Sequence, residues 1–294
     1  MQINKHGSFY IRTGWPTKII DALSTDPHIF SPNNELCAVD DIGVGRVMIK
    51  SMRYWASVLG LSVEGKDQQG ICNHLTPLAK LIQKNDLYCV DRGTLWLLHR
   101  HLTQENENAT AWHWAFNCFD ASYFTKDEFV SAFLAYTQHE GGVYPQKTIE
   151  KEFDCFKNTY VSEQSFSISK IIDEDTIPFF SPLQLLEYKG SGKYVRRKIS
   201  AKEIPIDIFL VCLILDNIEH LKTNKQIGID HLIEDENQVC KYMQINYATL
   251  IGLLQNLENL GHLRLVNNFG NRYIELEQAL PERIIESHYH MMER

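Results

Sequence analysis

The stretch from Gly43 to Gly60, GVGRVMIKSMRYWASVLG, constrains this chain more than any other. Its apolar residues fall at Met48, Met52, Trp55 and Leu59, with Ile49 and Val58 broadening the stripe, and that spacing predicts a helix. Gly60 supplies its stop. A stripe of this kind has to be buried, so the opposite face turns outward and carries Arg46, Lys50, Arg53 and Ser57, with Ser51 and Tyr54 flanking.

The surroundings of this helix suggest a motif. A short helix is expected over Asn33–Val39, followed by the Gly43-Val44-Gly45 turn. After the long helix, VEGKDQQGICNH suits a hairpin, and Thr76-Pro77 reads as N-cap and first position of the helix LAKLIQ. Short helix, turn, longer helix and hairpin outline a winged helix-turn-helix. Upstream, Pro16 in FYIRTGWPTKIIDAL marks another helix start.

A similar outline returns near the C-terminus. Asp235–Met243 suggests a short helix, and Leu250, Leu253, Leu254, Leu257 and Leu260 form one face of a longer one that stops at Gly261. LRLV and RYIEL, on either side of Asn267-Asn268-Phe269-Gly270-Asn271, alternate as hairpin strands do. Between the two outlines the pattern is helical: Thr94–Leu102, Ala109–Phe119, a capping box at Thr125–Glu128, Pro145–Tyr160 and Ile204–Leu221, with a hairpin in Pro182–Ile199 turning at Gly190-Ser191-Gly192. The expected fold is therefore mainly α, with winged helix-turn-helix units at both ends joined by a helical middle region and short β-hairpins. The expected segments are 1–90, 91–200 and 201–294.

Composition narrows the function classes. Of 294 residues, 44% are hydrophobic and 22% charged, which fits a globular chain. The net charge of −8 argues against bulk coating of DNA, but it is unevenly spread: +2 over residues 1–100, −4 over 101–200 and −6 over 201–294. Cys37, Cys72, Cys89, Cys118, Cys155, Cys212 and Cys240 are scattered singly, which is neither a disulfide framework nor a zinc spacing. No signal-like start is present, and the longest apolar run, Ile208–Leu215, is too short to span a bilayer, so a cytoplasmic protein is expected.

On this frame, Arg46, Lys50, Ser51 and Arg53 are candidate DNA contacts, helped by Arg12 and Lys18; the alternative is a solvated helix face. A second basic cluster, Lys189, Lys193, Arg196, Arg197 and Lys198, suits a phosphate clamp or equally a solvated strand edge. The C-terminal long helix exposes Asn246, Thr249, Gln255, Asn256 and Glu258, which favours a protein partner or a second copy over DNA. Asp40 and Asp41, just before the basic helix, are the candidate catalytic carboxylates for a metal-dependent phosphodiesterase, against the alternative that they cap a helix or face water. His99 and His101 flank Arg100 in LWLLHRHL and His113 lies in AWHWAFN; His99 suits a hydrogen-bonded core histidine, and no Walker A or Rossmann pattern is present.

In order along the chain stand SFYIRTGWPTK, DPHIF, IGVGRVMIKSMRYW, HLTPLAKLI, TLWLLHRHL, AWHWAFNCF, TIEKEFDCFKNTYV and SPLQLLEY. These blocks, from about Phe9 to Leu276, resemble the SspB-like family of bacterial DNA phosphorothioation and defence systems. The resemblance implies a DNA nicking protein working with a cysteine desulfurase, an adenylating enzyme and an ATPase, and a nickase would be expected to use Mg²⁺ or Mn²⁺. It carries over no catalytic residue. The family turn usually reads G-V-G-K-N-M, whereas this chain has Val47 in place of the asparagine. Two other readings stand beside the nickase: a non-catalytic DNA-binding adaptor that recruits the sulfur-transfer enzymes, and a cysteine relay carrying persulfide. No cysteine has a flanking basic pair or an evident helix N-terminus to lower its thiol pKa, which weighs against the relay.

Overall fold

Pro16 at the start of a helix, and the inward spacing of Trp15, Ile19, Ile20 and Leu23, account for α1 (Trp15–Thr25). A 3₁₀ turn at Pro32–Asn34 leads into α2 (Glu35–Ile42), so the short helix begins and ends a few residues later than its sequence suggests. Gly43 ends it in the left-handed region at φ 73°, a conformation that costs glycine nothing, and its N–H reaches the Val39 carbonyl. Gly45 then starts α3 (Arg46–Val58).

The computed structural model describes residues 1–161, 177–268, 271–276 and 280–292, and its contacts divide the chain into two units. The first holds Met1–Trp114 and Ala121–Arg196, the second Ala115–Asp120 and Arg197–Arg294. This division places segment 1–90 wholly in the first unit and cuts the basic cluster between Arg196 and Arg197. The expectation of a mainly α chain with short antiparallel pairings holds.

In the first unit, β1 (Ser62–Asp67) and β2 (Gly70–Leu75) pair antiparallel across a two-residue turn, with Asp67 opposite Gly70. Thr76 accepts the Ala79 N–H at 3.1 Å and so caps α4 (Pro77–Asn85) as its sequence predicts. The helical middle follows as α5 (Arg92–Gln104), α6 (Thr110–Asn117), α7 (Lys126–His139) and α8 (Gln146–Tyr160). The Thr125–Glu128 capping box opens α7. A three-stranded sheet in the order β3-β5-β4 combines β3 (Tyr123–Thr125), β4 (Leu186–Tyr188) and β5 (Lys193–Arg196). The expected hairpin is therefore present, but its second strand is the centre of a sheet. Aromatic side chains fill this unit: Trp55 meets Trp112 edge-on at 5.3 Å, and Phe156 lies between Phe129 and Tyr160.

In the second unit, α9 (Ile206–Asp216) is buried almost all round, from Ile208 to Ile214. The long helix expected to run to Leu221 breaks at Asn217, whose side chain bonds the Leu213 carbonyl and Gln238 Oε1; α10 (Ile218–Leu221) follows separately. Next come β6 (Gln226–Gly228), α11 (Ile229–Glu234), α12 (Val239–Tyr242), α13 (Tyr247–Asn259), β7 (Leu263–Asn268), β8 (Asn271–Leu276) and α14 (Pro281–Met292). The expected short helix over Asp235–Met243 is thus a four-residue turn of helix, Val239–Tyr242. The hairpin of β7 and β8 is present and gains β6, giving the order β6-β8-β7; its tip residues Phe269 and Gly270 lie outside the described residues.

Candidate nucleic-acid interface

Burial fixes which way α3 faces. Ile49, Met52, Trp55, Ala56, Val58 and the following Leu59 are buried, while Met48 is only half-buried. The inner stripe is thus rotated by part of a turn from the one centred on Met48. Ser51 is carried inward by that rotation, at 1% exposure, and its hydroxyl donates to the His6 carbonyl at 2.9 Å. It anchors the N-terminal segment and does not join the outer face. Trp55 anchors the same segment, its indole N–H reaching the Phe9 carbonyl at 2.9 Å.

The outer face holds Arg46, Val47, Lys50 and Arg53. Arg46 and Lys50 lie one turn apart, with side chains 58% and 64% exposed, and both bond one carboxylate: Glu35 on α2 lies 3.4 Å from Arg46 Nε and 3.1 Å from Lys50 Nζ. Arg53 bonds Glu64 on β1 at 2.5 Å. Alongside runs a groove of about 520 Å³, lined by Lys5, Lys50 and Arg53 with Glu35 and Glu64, and by Phe30, Ile49 and Tyr54. The result is a strip of cations on one helix and its neighbours, with an apolar seam beside it. Val47 stands exposed in the first turn beside them.

The other expected contacts divide. Arg12 stacks its guanidinium over Phe9, Tyr10 and Trp15 at 5.3–6.0 Å, and its buried Nε has no hydrogen-bond partner among the described residues. Lys18 is half-buried on α1. Lys193 and Lys198 are exposed. Arg196 closes the central strand, its backbone N–H donating to the Ser122 carbonyl. Arg197 grips Glu203 with both guanidinium ends, at 2.5 and 3.1 Å, and those bonds hold the Glu203 carboxyl down at about 2. The basic cluster therefore belongs to two units, and both Lys189 and Arg197 are paired, with Glu187 and Glu203.

Asp40 and Asp41 occupy the last turn of α2, both exposed, and neither has a hydrogen bond or ion pair among the described residues. Among those residues no third His, Cys, Asp or Glu ligand atom gathers with them within 4.8 Å.

The histidines behave as core groups. His99 is buried with Nδ1 3.1 Å from the Tyr160 hydroxyl, and His113 Nδ1 donates to the Thr103 carbonyl at 2.9 Å. His101 is pushed down to about 4 by burial, with Arg100 adding to the effect. None of the seven cysteines is in a disulfide, and only Cys37 is exposed. Burial pushes Cys118 and Cys240 up to about 12, Glu236 reinforcing the shift at Cys118, and it raises Cys89 and Cys155 as well. Thiolate, the form a sulfur carrier needs, is suppressed at those four.

The sequence pattern of DUF4007, a family described as a protein of unknown function, matches residues 3–289. The chain belongs to this family. Two crystal structures share the fold of this DUF4007 chain: a magnesium-bound SspB at TM-score 0.84 and an SspB at 0.82. Each is 22% identical, with 98% of this chain and 88% of the other covered. The family resemblance in the sequence blocks is thus matched by the fold. No curated protein matches the chain.

Proposed function

We propose that this DUF4007 protein binds duplex DNA as a component of a phosphorothioation system of the Ssp kind, working beside a desulfurase, an ATPase and an adenylating sulfur-transfer enzyme. The observation that carries the DNA reading is the strip of Arg46, Lys50 and Arg53 on the outer face of a helix that follows a short helix and precedes a hairpin. We read α2, α3 and the β1–β2 hairpin as a winged helix, with α3 as the recognition element. The order β6-β8-β7 around α11 and α13 supports a second one. That one presents Asn246, Gln255, Asn256 and Glu258 and suits a protein partner or a second copy.

Within that role the leading activity is DNA nicking. Asp40 and Asp41 would hold the divalent ion, Mg²⁺ or Mn²⁺, which when bound lowers the pKa of an attacking water and stabilises the leaving oxygen. The chain's own residues bind and orient: Arg46 and Lys50 fix the phosphate backbone one helical turn apart, Arg53 extends the contact toward the β1–β2 hairpin, and Val47 meets a base. A second reading, a non-catalytic adaptor, is favoured by the absence of a third ligand beside Asp40 and Asp41 among the described residues.

A plasmid assay separates the two. Nicking of supercoiled DNA in Mg²⁺ or Mn²⁺, abolished by chelator and by Asp40→Asn/Asp41→Asn with DNA affinity kept, is the expected result. Supercoiled DNA left intact at high protein, together with retained binding, identifies the adaptor.

No helix among the described residues is long and apolar enough to cross a membrane.

A further inference from the structure

The three outward cations of α3 are all paired, and the pairing follows a pattern. Each carboxylate comes from a flanking element, not from α3 itself: Glu35 from the helix before it and Glu64 from the strand after it. Glu35 takes two cations at once, its Oε2 at 3.4 Å from Arg46 and its Oε1 at 3.1 Å from Lys50, as a phosphate with two free oxygens would. Its side chain is 21% exposed while those of its partners are 58% and 64% exposed, so the anion sits inside the fork and the cations outside it. Arg46 opens α3, where the helix dipole disfavours a cation, and Glu35 offsets that cost.

We infer that Glu35, assisted by Glu64, is an intramolecular counter-ion that stands in for DNA phosphate and restrains binding: a duplex has to displace these carboxylates from Arg46, Lys50 and Arg53 to engage the helix. This inference rests on the DNA reading above. Its consequence is a protein that holds its recognition cations in place yet binds weakly to arbitrary DNA, because part of each phosphate contact replaces an existing ion pair.

Fluorescence anisotropy with a labelled random-sequence duplex of about 25 base pairs, at roughly 50 and 200 mM salt, tests it. Glu35→Gln is expected to bind about three- to tenfold tighter at the lower salt, Glu64→Gln about twofold tighter, and Glu35→Asp close to wild type. Glu219→Gln, which frees Lys222 from an exposed pair in the second unit, changes net charge by the same amount and is expected to leave affinity within about 1.5-fold. Adding Arg46→Gln/Lys50→Gln to Glu35→Gln should erase the gain. If wild type binds and Glu35→Gln is no tighter than Glu219→Gln, the counter-ion role is overturned and DNA binding stands. If neither wild type nor any variant binds, while circular dichroism shows folded protein, the DNA reading fails and takes the inference with it. A Glu35→Gln protein that binds where wild type does not supports both.

Discussion

α3 in the first unit and α13 in the second are built to one plan and dressed differently. Both are 13 residues long, both are followed by a glycine with positive φ (Gly60 at 66°, Gly261 at 80°), and both lead into a six-residue strand with an antiparallel partner. Their inner faces are equally committed, Met52, Trp55 and Leu59 on one side and Leu250, Leu254 and Leu257 on the other, all fully buried. Their outer faces differ. α3 shows Arg46, Lys50 and Arg53 tethered to Glu35 and Glu64, whereas α13 shows Gln255 and Asn256 to solvent and uses Glu258 to accept the Leu265 N–H at 2.7 Å. The comparison teaches that the shared architecture fixes where a helix can present side chains, while the identity of those side chains decides what it can meet.

The parallel breaks first, if it breaks, in the core. Trp55→Ala removes a fully buried indole that packs on Tyr54 and Trp112, and should cost about 3–5 kcal/mol; Leu254→Ala should cost about 2–5 kcal/mol. Chemical denaturation monitored by circular dichroism reads both, and a Trp55→Ala protein as stable as wild type would show that α3 is not held by its stripe.

A smaller effect distinguishes the units by pH. The His101 ring lies where a Cβ on Gly60 would fall, 2.6 Å from its Nδ1, at the end of α3, and it stays neutral in the folded state because burial lowers it to about 4. The unfolded chain, with an ordinary histidine, binds a proton from about pH 6.5 downward, so it holds more protons than the folded chain in that window. Stability contributed by this group is full above pH 6.5 and is lost as pH falls toward 4, by at most about 1.4 kcal/mol per pH unit. His101→Gln should flatten that slope in urea titrations at pH 6.5, 5.5 and 4.5; an unchanged slope contradicts a buried neutral ring.

The smallest effect is at the helix entrances. Asn246 caps α13 by accepting the Thr249 N–H at 2.9 Å, while Gly45 starts α3 with no side-chain cap. Asn246→Ala should lower stability by about 1 kcal/mol, and Gly45→Ser should raise it by a few tenths. Melting curves for the pair check the contrast.

Much of this was legible in the sequence because it is local. Thr76 and Thr125 cap where their spacing to Ala79 and Glu128 requires, and the hairpin turns at Gly190–Gly192 and between Asp67 and Gly70 follow from turn chemistry. The helical period of α3 was legible too, but not its phase, since Ile49 and Met48 compete for one edge of the stripe and tertiary packing chooses Ile49; Ser51 turned inward with it. The short strands β3 and β6 carry no pattern of their own, at three residues each, and exist only through pairing with β5 and β8. The break at Asn217 depends on Gln238, and the tethering of Arg46 and Lys50 by Glu35 depends on how α2 packs on α3. Contacts of that kind are set by the fold, so charge counting placed the cations but could not show that they were already paired.

The central claim is that DNA meets α3 and not α13. Duplex affinity of Arg46→Glu/Lys50→Glu against Gln255→Glu/Asn256→Glu, at matched salt and with folding confirmed, tests it most directly. The account predicts a loss of about 100-fold for the α3 pair and less than about threefold for the α13 pair. Equal losses, or a larger loss from the α13 pair, would contradict it.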